Sequence, residues 1–135
     1  MLDIKLLRKD KAQIEKRLKT KEPDIDLSPI LALDERIREN KMKVEELKST
    51  RNHLSKEIGE KKRKKEDAAE LMQQVSGLGD TISALDHELA HLEPELTDKL
   101  GRLPNLPRED SKVSPDPKDN VCIKTFGEKK EFHFP

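Results

Sequence analysis

A chain of 135 residues with 41% charged side chains, three Phe and neither Trp nor Tyr lacks the bulk to fill a thick globular core. Lys+Arg and Asp+Glu balance at 28 each, so any charge-driven partner must be read from how charge is distributed rather than from its total. Such a composition fits either disorder or long helices that bury a narrow seam, and hydrophobic periodicity separates the two. One cysteine, Cys122, cannot form an internal disulfide, which fits a reducing compartment. No apolar run approaches the ~18 residues of a membrane span, and Met1-Leu2-Asp3-Ile4-Lys5 does not open a secretory leader. The expectation is a soluble, cytoplasmic protein that makes no use of a membrane.

Residues 1–27 read as a helical segment in two pieces. Asp10 and Gln13 have capping-box spacing ahead of Ile14 and Leu18, which lie one turn apart. Glu22-Pro23-Asp24-Ile25-Asp26 then breaks the helix. Ser28-Pro29 restarts it, with Ser expected as N-cap and Pro at the first helical position. From there a heptad runs with a at Ile30, Ile37, Val44, Arg51, Ile58 and Lys65, and d at Leu33, Asn40, Leu47, Leu54 and Lys61. It ends in the basic run Lys61-Lys62-Arg63-Lys64-Lys65. Asp67 and Glu70 have capping-box spacing and mark a second start. A second heptad follows, with d at Leu71, Leu78, Leu85 and Leu92 and a at Val75, Ile82, Leu89 and Leu96.

Two such helices joined by a short polar tip should fold back on each other, because neither buries its seam alone. In an antiparallel pair an a residue faces a d residue. Pairing residues whose numbers total 129 matches Ile58 with Leu71, Leu54 with Val75, Leu47 with Ile82, Val44 with Leu85, Ile37 with Leu92 and Leu33 with Leu96. Every one of these layers is apolar. A slip of one heptad loses a layer at one end. The predicted fold is all-α: a long antiparallel two-helix coiled coil over residues 28–100 with its tip near 61–67. Short N-terminal helices precede it, and a Pro-rich linker over 101–119 and a short β segment within 120–135 follow. One arm is basic, with 12 Lys+Arg against 7 Asp+Glu over residues 28–65; the other is acidic, with 1 against 9 over 66–100.

Three seam features stand apart. Arg51 faces Leu78, whose neighbours Gly77 and Gly79 would leave room for the guanidinium to reach solvent; the plainer alternative is that the glycines only loosen the helix. Asn40, opposite Leu89, either sets register or points outward. Pro94 falls at f, the outermost position, and should kink the helix without breaking the seam. Beyond the linker, Val121 to Gly127 reads as a short strand with a turn, and it has no evident strand to pair with.

His87-Glu88-Leu89-Ala90-His91 matches H-E-x-x-H, a zinc-hydrolase pattern. Its histidines fall at f and c, however, no third ligand is near and no walled cleft is implied, so coincidence is the better reading and no metal is expected. No Gly-rich phosphate loop, nucleophile or acid–base pair is evident, so no catalytic residue is assigned. The basic tip remains. Five consecutive cations at the end of a rod form an electrostatic footprint for phosphates, although a charge run is also an ordinary solvated helix end. With so few aromatics, backbone and shape recognition of a structured RNA or duplex fits better than single-strand stacking.

At this point the residues resemble a family. Met1-Leu2-Asp3-Ile4-Lys5-Leu6-Leu7-Arg8 looks like the opening of bacterial-type seryl-tRNA synthetases. Arg51-Asn52-His53-Leu54-Ser55-Lys56-Glu57-Ile58-Gly59 is similar to their first coiled-coil helix. Leu103-Pro104-Asn105-Leu106-Pro107, Asp119-Asn120-Val121 and Phe126-Gly127 resemble the linker and entry strand of their catalytic domain. Arg108 and Phe126 depart from the His and Trp common there, the tip lacks a frequent glycine, and Pro94 is unusual.

The resemblance implies an arm that lies along the outer corner of tRNA(Ser) and clasps its long variable arm, in service of ATP-dependent serylation. Taken with the basic tip, it points to Arg51, Asn52, Lys56, Lys61, Lys62, Arg63, Lys64 and Lys65 as tRNA-binding residues. It also implies a class II catalytic domain starting near Asn120 and almost wholly missing, where ATP and Mg would bind, with no cofactor in the part present. Family members dimerise through that domain, so the part present is compatible with a monomer. The alternative function is a structural coiled-coil interaction module without RNA binding.

Overall fold

The computed structural model describes residues 1–128 and 130–134. Two long helices dominate it: α3 (Ser28–Arg63) and α4 (Ala69–Arg102) run antiparallel and pack along their length. They follow two short helices, α1 (Ile4–Lys9) and α2 (Lys11–Leu18), and among the described residues only a 3-10 turn at Pro117–Asp119 comes after. At 36 residues α3 is about 54 Å long.

The seam is the expected one. Ile37, Val44, Ile82, Leu89 and Leu92 are buried together, with Leu33, Leu47, Leu85 and Leu96 packed against them. Three ion pairs cross between the arms: Arg36 with Glu88, Lys41 with Glu93, and Lys48 with Asp86. Their residue numbers total 124 or 134, five either side of 129. That symmetry is the mark of g–g and e–e contacts flanking a seam in the proposed register. A one-heptad slip would have centred them on a different total.

At the base, α1 and α2 lie over the rod and close a second core of Leu7, Ile14, Leu18, Leu27, Ile30 and Leu100. Asp3 and Asp10 cap the two helices, Asp10 accepting from the Gln13 amide at 3.0 Å as its spacing predicts. Arg8 fastens this layer to α3. Its guanidinium forks onto Asp34 at 2.7 and 2.6 Å, and Arg38 adds a bond at 3.2 Å to the same carboxylate. Asp34 is 2% exposed. Burial alone would raise its pKa, but the Arg8 bonds and charge, helped by Arg38, hold it below the usual carboxylate value. The linker is also tied down. Leu103 and Leu106 pack on the base core, Arg17 donates to the Pro107 carbonyl at 2.6 Å, and Lys21 donates to that of Asn105 at 2.9 Å.

Several expectations are corrected. Ser28 does not cap α3: it lies inside the first turn, its hydroxyl accepts from Lys11 Nζ, and its amide donates to Asp26 at 2.8 Å, while the N-cap position falls to Leu27, which has no polar side-chain group to cap with. Asp67 accepts from the Ala69 amide, two residues on, rather than closing a capping box with Glu70. The β segment does not form among the described residues, since Val121 to Gly127 has no strand beside it to share a ladder. Val121, Ile123 and Phe126 are exposed. Asn40 points inward, 6% exposed, with Nδ2 unpartnered. A methyl built on Gly77 or Gly79 would meet nothing within 4 Å, so Arg51 does not need those glycines for clearance.

Candidate nucleic-acid interface

The tip forms because α3 runs out of apolar seam at Lys61, and its backbone then closes in a Schellman motif. The Glu66 amide donates to the Lys61 carbonyl at 2.9 Å and the Lys65 amide to that of Lys62 at 3.2 Å. The position that normally takes glycine is Lys65, held at φ 60°. The five cations therefore differ in setting. Lys61, Lys62 and Arg63 belong to the last helical turn, Lys64 is the C-cap, and Lys65 makes the left-handed turn. All sit at the negative end of the α3 dipole, which favours cations.

Of the candidate residues, Asn52, Lys56, Lys62, Arg63, Lys64 and Lys65 are exposed. Arg51 and Lys61 are half-buried. In the observed register Lys61 faces Ala68, which is buried, so its carbon stem continues the seam by one layer. Lys56 and Arg63 share the outer f stripe of α3, and Asn52 lies beside it one turn before Lys56. The structure thus brings Asn52, Lys56, Lys62 and Arg63 onto the open surface of one helix and leaves Arg51 in the seam.

The charge pattern along the rod is the feature that sequence counting understates. Up to Lys48, three of the basic arm's cations, Arg36, Lys41 and Lys48, are matched across the seam by Glu88, Glu93 and Asp86. Tipward of Lys48, residues 71–79 of α4 contain no charged residue, with Asp80 before them toward the base and Glu70, Asp67 and Glu66 beyond them at the tip. Among the described residues, Arg51, Lys56 and the five tip cations form no ion pair. Residues 51–65 hold seven Lys+Arg against Glu57 and Glu60.

The H-E-x-x-H segment is used otherwise. Glu88 accepts from Arg36 Nε at 2.8 Å, and His87 and His91 meet edge to face at 4.8 Å on the outer surface. Among the described residues no three metal-capable side chains converge. No helix is long and apolar enough to cross a membrane.

Comparison with known proteins decides the family. The seryl-tRNA synthetase N-terminal domain model matches residues 1–107. This chain belongs to that family. It is similar to the serine–tRNA ligases of Chlamydia muridarum (42% identity over 135 residues) and Symbiobacterium thermophilum (38%). Both alignments cover all of this chain and 32% of the relative, so the chain spans about a third of their length. Among solved structures it resembles seryl-tRNA synthetase from Pyrococcus horikoshii, determined in complex with ATP. The TM-score is 0.82 at 30% identity, covering 94% of this chain and 29% of that one. The hairpin is therefore the family's N-terminal domain.

Proposed function

We propose that this chain is the tRNA-binding arm of a serine–tRNA ligase, engaging the long variable arm and outer corner of tRNA(Ser). The observation that carries this reading is the run of cations at the tip, none of which forms an ion pair among the described residues. A rigid rod about 54 Å long, anchored at one end by α1, α2 and the linker, presents that charge well away from its base. Such a shape suits contacts to the phosphate backbone of a folded RNA, where charge fixes position and shape gives selectivity.

The chemistry of serylation belongs to the remaining two-thirds of the relatives' length. The sequence has no glycine-rich loop, and among the described residues no three metal-capable side chains converge. No step is assigned to either. Dimerisation through that remainder, a catalytic domain opening near Asn120, and a cytoplasmic setting are parts of the same proposal.

The test is electrophoretic binding of this chain to tRNAs with and without a long variable arm, across a salt series. Replacing Lys62, Arg63 and Lys64 together by Ala should weaken binding and flatten the log K versus log salt slope by about 2 to 3 units, near one per lost phosphate contact. Unchanged binding would reject the tip as the contact. No binding at all would favour a purely structural coiled-coil module.

A further inference from the structure

The heptad divides the rod into two broad faces, and the cross-arm ion pairs establish which residues share one. Lys41, Lys48, Asp86 and Glu93 all occupy e positions and pair at 2.6 and 3.3 Å. Arg36 and Glu88, both at g, pair on the opposite side. The e positions of both arms, with the b positions next to them, therefore form one face. The g positions, with c, form the other.

Tipward of Lys48 these faces differ in charge. The g/c face carries Glu57 and Glu60 on α3 and Glu70 on α4, with Asp67 just ahead of α4. The e/b face carries no carboxylate. It presents Asn52 and Lys62 from α3 and Met72 and Ser76 from α4; of the remaining acids of this stretch, Asp80 sits at f on α4, bordering both faces, and Glu66 lies in the tip turn. Gly59 and Gly79, also at b and e, open onto empty space. Lys56 and Arg63, at f, border both faces. Of the outermost lysines, Lys62 belongs to the e/b face and Lys64 to the g/c face.

A phosphate brought to the g/c face would meet the carboxylates of Glu57, Glu60 and Glu70 on that face, whereas the e and b positions hold none and Asp80 only borders them; exposed charges act over about a Debye length of 10 Å. We infer that the nucleic-acid backbone lies on the e/b face of the tip half, held by Lys62 with Lys56 and Arg63 along its edge, while the g/c face and Lys64 stay in solvent. Asn52 and Ser76 offer neutral donors to the same backbone. This assignment rests on the nucleic-acid reading above and adds its side.

Single substitutions on the two faces of the intact chain test it, with a long-variable-arm tRNA in 0.1 M salt. Lys62→Ala should bind about eightfold more weakly, the factor one released counterion supplies at that salt, and its salt slope should fall by about one. Lys64→Ala should stay within twofold of the parent. Ser76→Glu should weaken binding at least tenfold, and Gln74→Glu, on the g side, should not; circular dichroism checks that each variant keeps its helix. Equal losses from Lys62→Ala and Lys64→Ala, or from Ser76→Glu and Gln74→Glu, overturn the face assignment while leaving the tip as the contact. Failure of the unsubstituted chain to bind sinks both.

Discussion

Asn40 is the one polar residue wholly inside the coiled coil. It occupies a d position between the buried Ile37 and Val44 and faces Leu89. Its Nδ2 has no partner, and an amide N–H buried without one costs about 1–3 kcal/mol. Replacing it with Leu removes that cost and adds apolar burial worth about 1.5–3 kcal/mol. Against this stands the larger side chain, which a packed seam resists by about 1–3 kcal/mol. The net expectation for Asn40→Leu is about 2 kcal/mol of added stability. In urea, with a slope of about 2 kcal/mol per molar, the midpoint should rise by about 1 M. Asn40→Ala serves as the companion: it removes the orphan donor but leaves a void, and should fall near the parent. Register should survive the change, because the apolar layers either side of Asn40 specify it without help. A midpoint that fails to rise, or a chain that changes its association state in sedimentation, would refute the reasoning. The first result would mean the amide is satisfied, and the second that Asn40 specifies pairing.

Asp34→Asn should destabilise the base by about 2 kcal/mol at neutral pH, less than for a fully buried pair because a third of the Arg8 side chain is exposed. Since the Asp34 pKa is lowered on folding from 3.8, its contribution is present above that value and lost as pH falls through the folded value. Melting curves should therefore show the gap between parent and variant closing in acid, and a pH-independent gap would contradict the charge argument. Lys65→Gly should stabilise by about 1 kcal/mol, because only the left-handed turn is relieved; an unchanged urea midpoint would show that the turn carries no strain. Gly77→Ala and Gly79→Ala should each add about 1 kcal/mol of helix stability, and a double-mutant cycle of Gly79→Ala with Arg51→Leu should give no coupling.

The rod was legible because its information is local and periodic. Two heptads with complementary apolar layers specify the pairing, and the tip follows from where the seam stops. What escaped reading was tertiary. Asp34 sits at an e position and looks like any surface carboxylate until α1 is laid over it. Ser28-Pro29 matches a capping signal, yet Lys11 and Asp26 claim the serine from outside that pattern. The docking of Leu103 and Leu106 on the base could not be seen in a run of prolines. For Val121–Gly127 the strand propensity was genuine, but a strand is defined by its neighbour. The tip residues were visible as a basic run. Which of them share a face became readable only once the ion pairs had fixed the sides.

The cross-arm pairs add little to stability, since exposed pairs are worth about 0–1 kcal/mol each. Their larger effect is on the field. With Arg36, Lys41 and Lys48 paired, the lower rod (residues 28–48 and 81–100) holds 6 Lys+Arg against 10 Asp+Glu, so an anion is attracted to the unpaired cations of the tip instead, and a neutral chain can still steer a polyanion. The same half is where the seam is weakest: Leu54, Ile58, Leu71, Val75 and Leu78 are only half-buried, whereas Ile37, Val44, Ile82 and Leu89 are buried. The cationic run and the looser seam coincide at one end, and tighter packing and net acidic charge at the other. A ligand that bridges cations at the tip therefore holds together the segment that the seam holds least. Binding there and order there are linked by mass action, because whatever binds the closed tip in preference to the frayed one stabilises it.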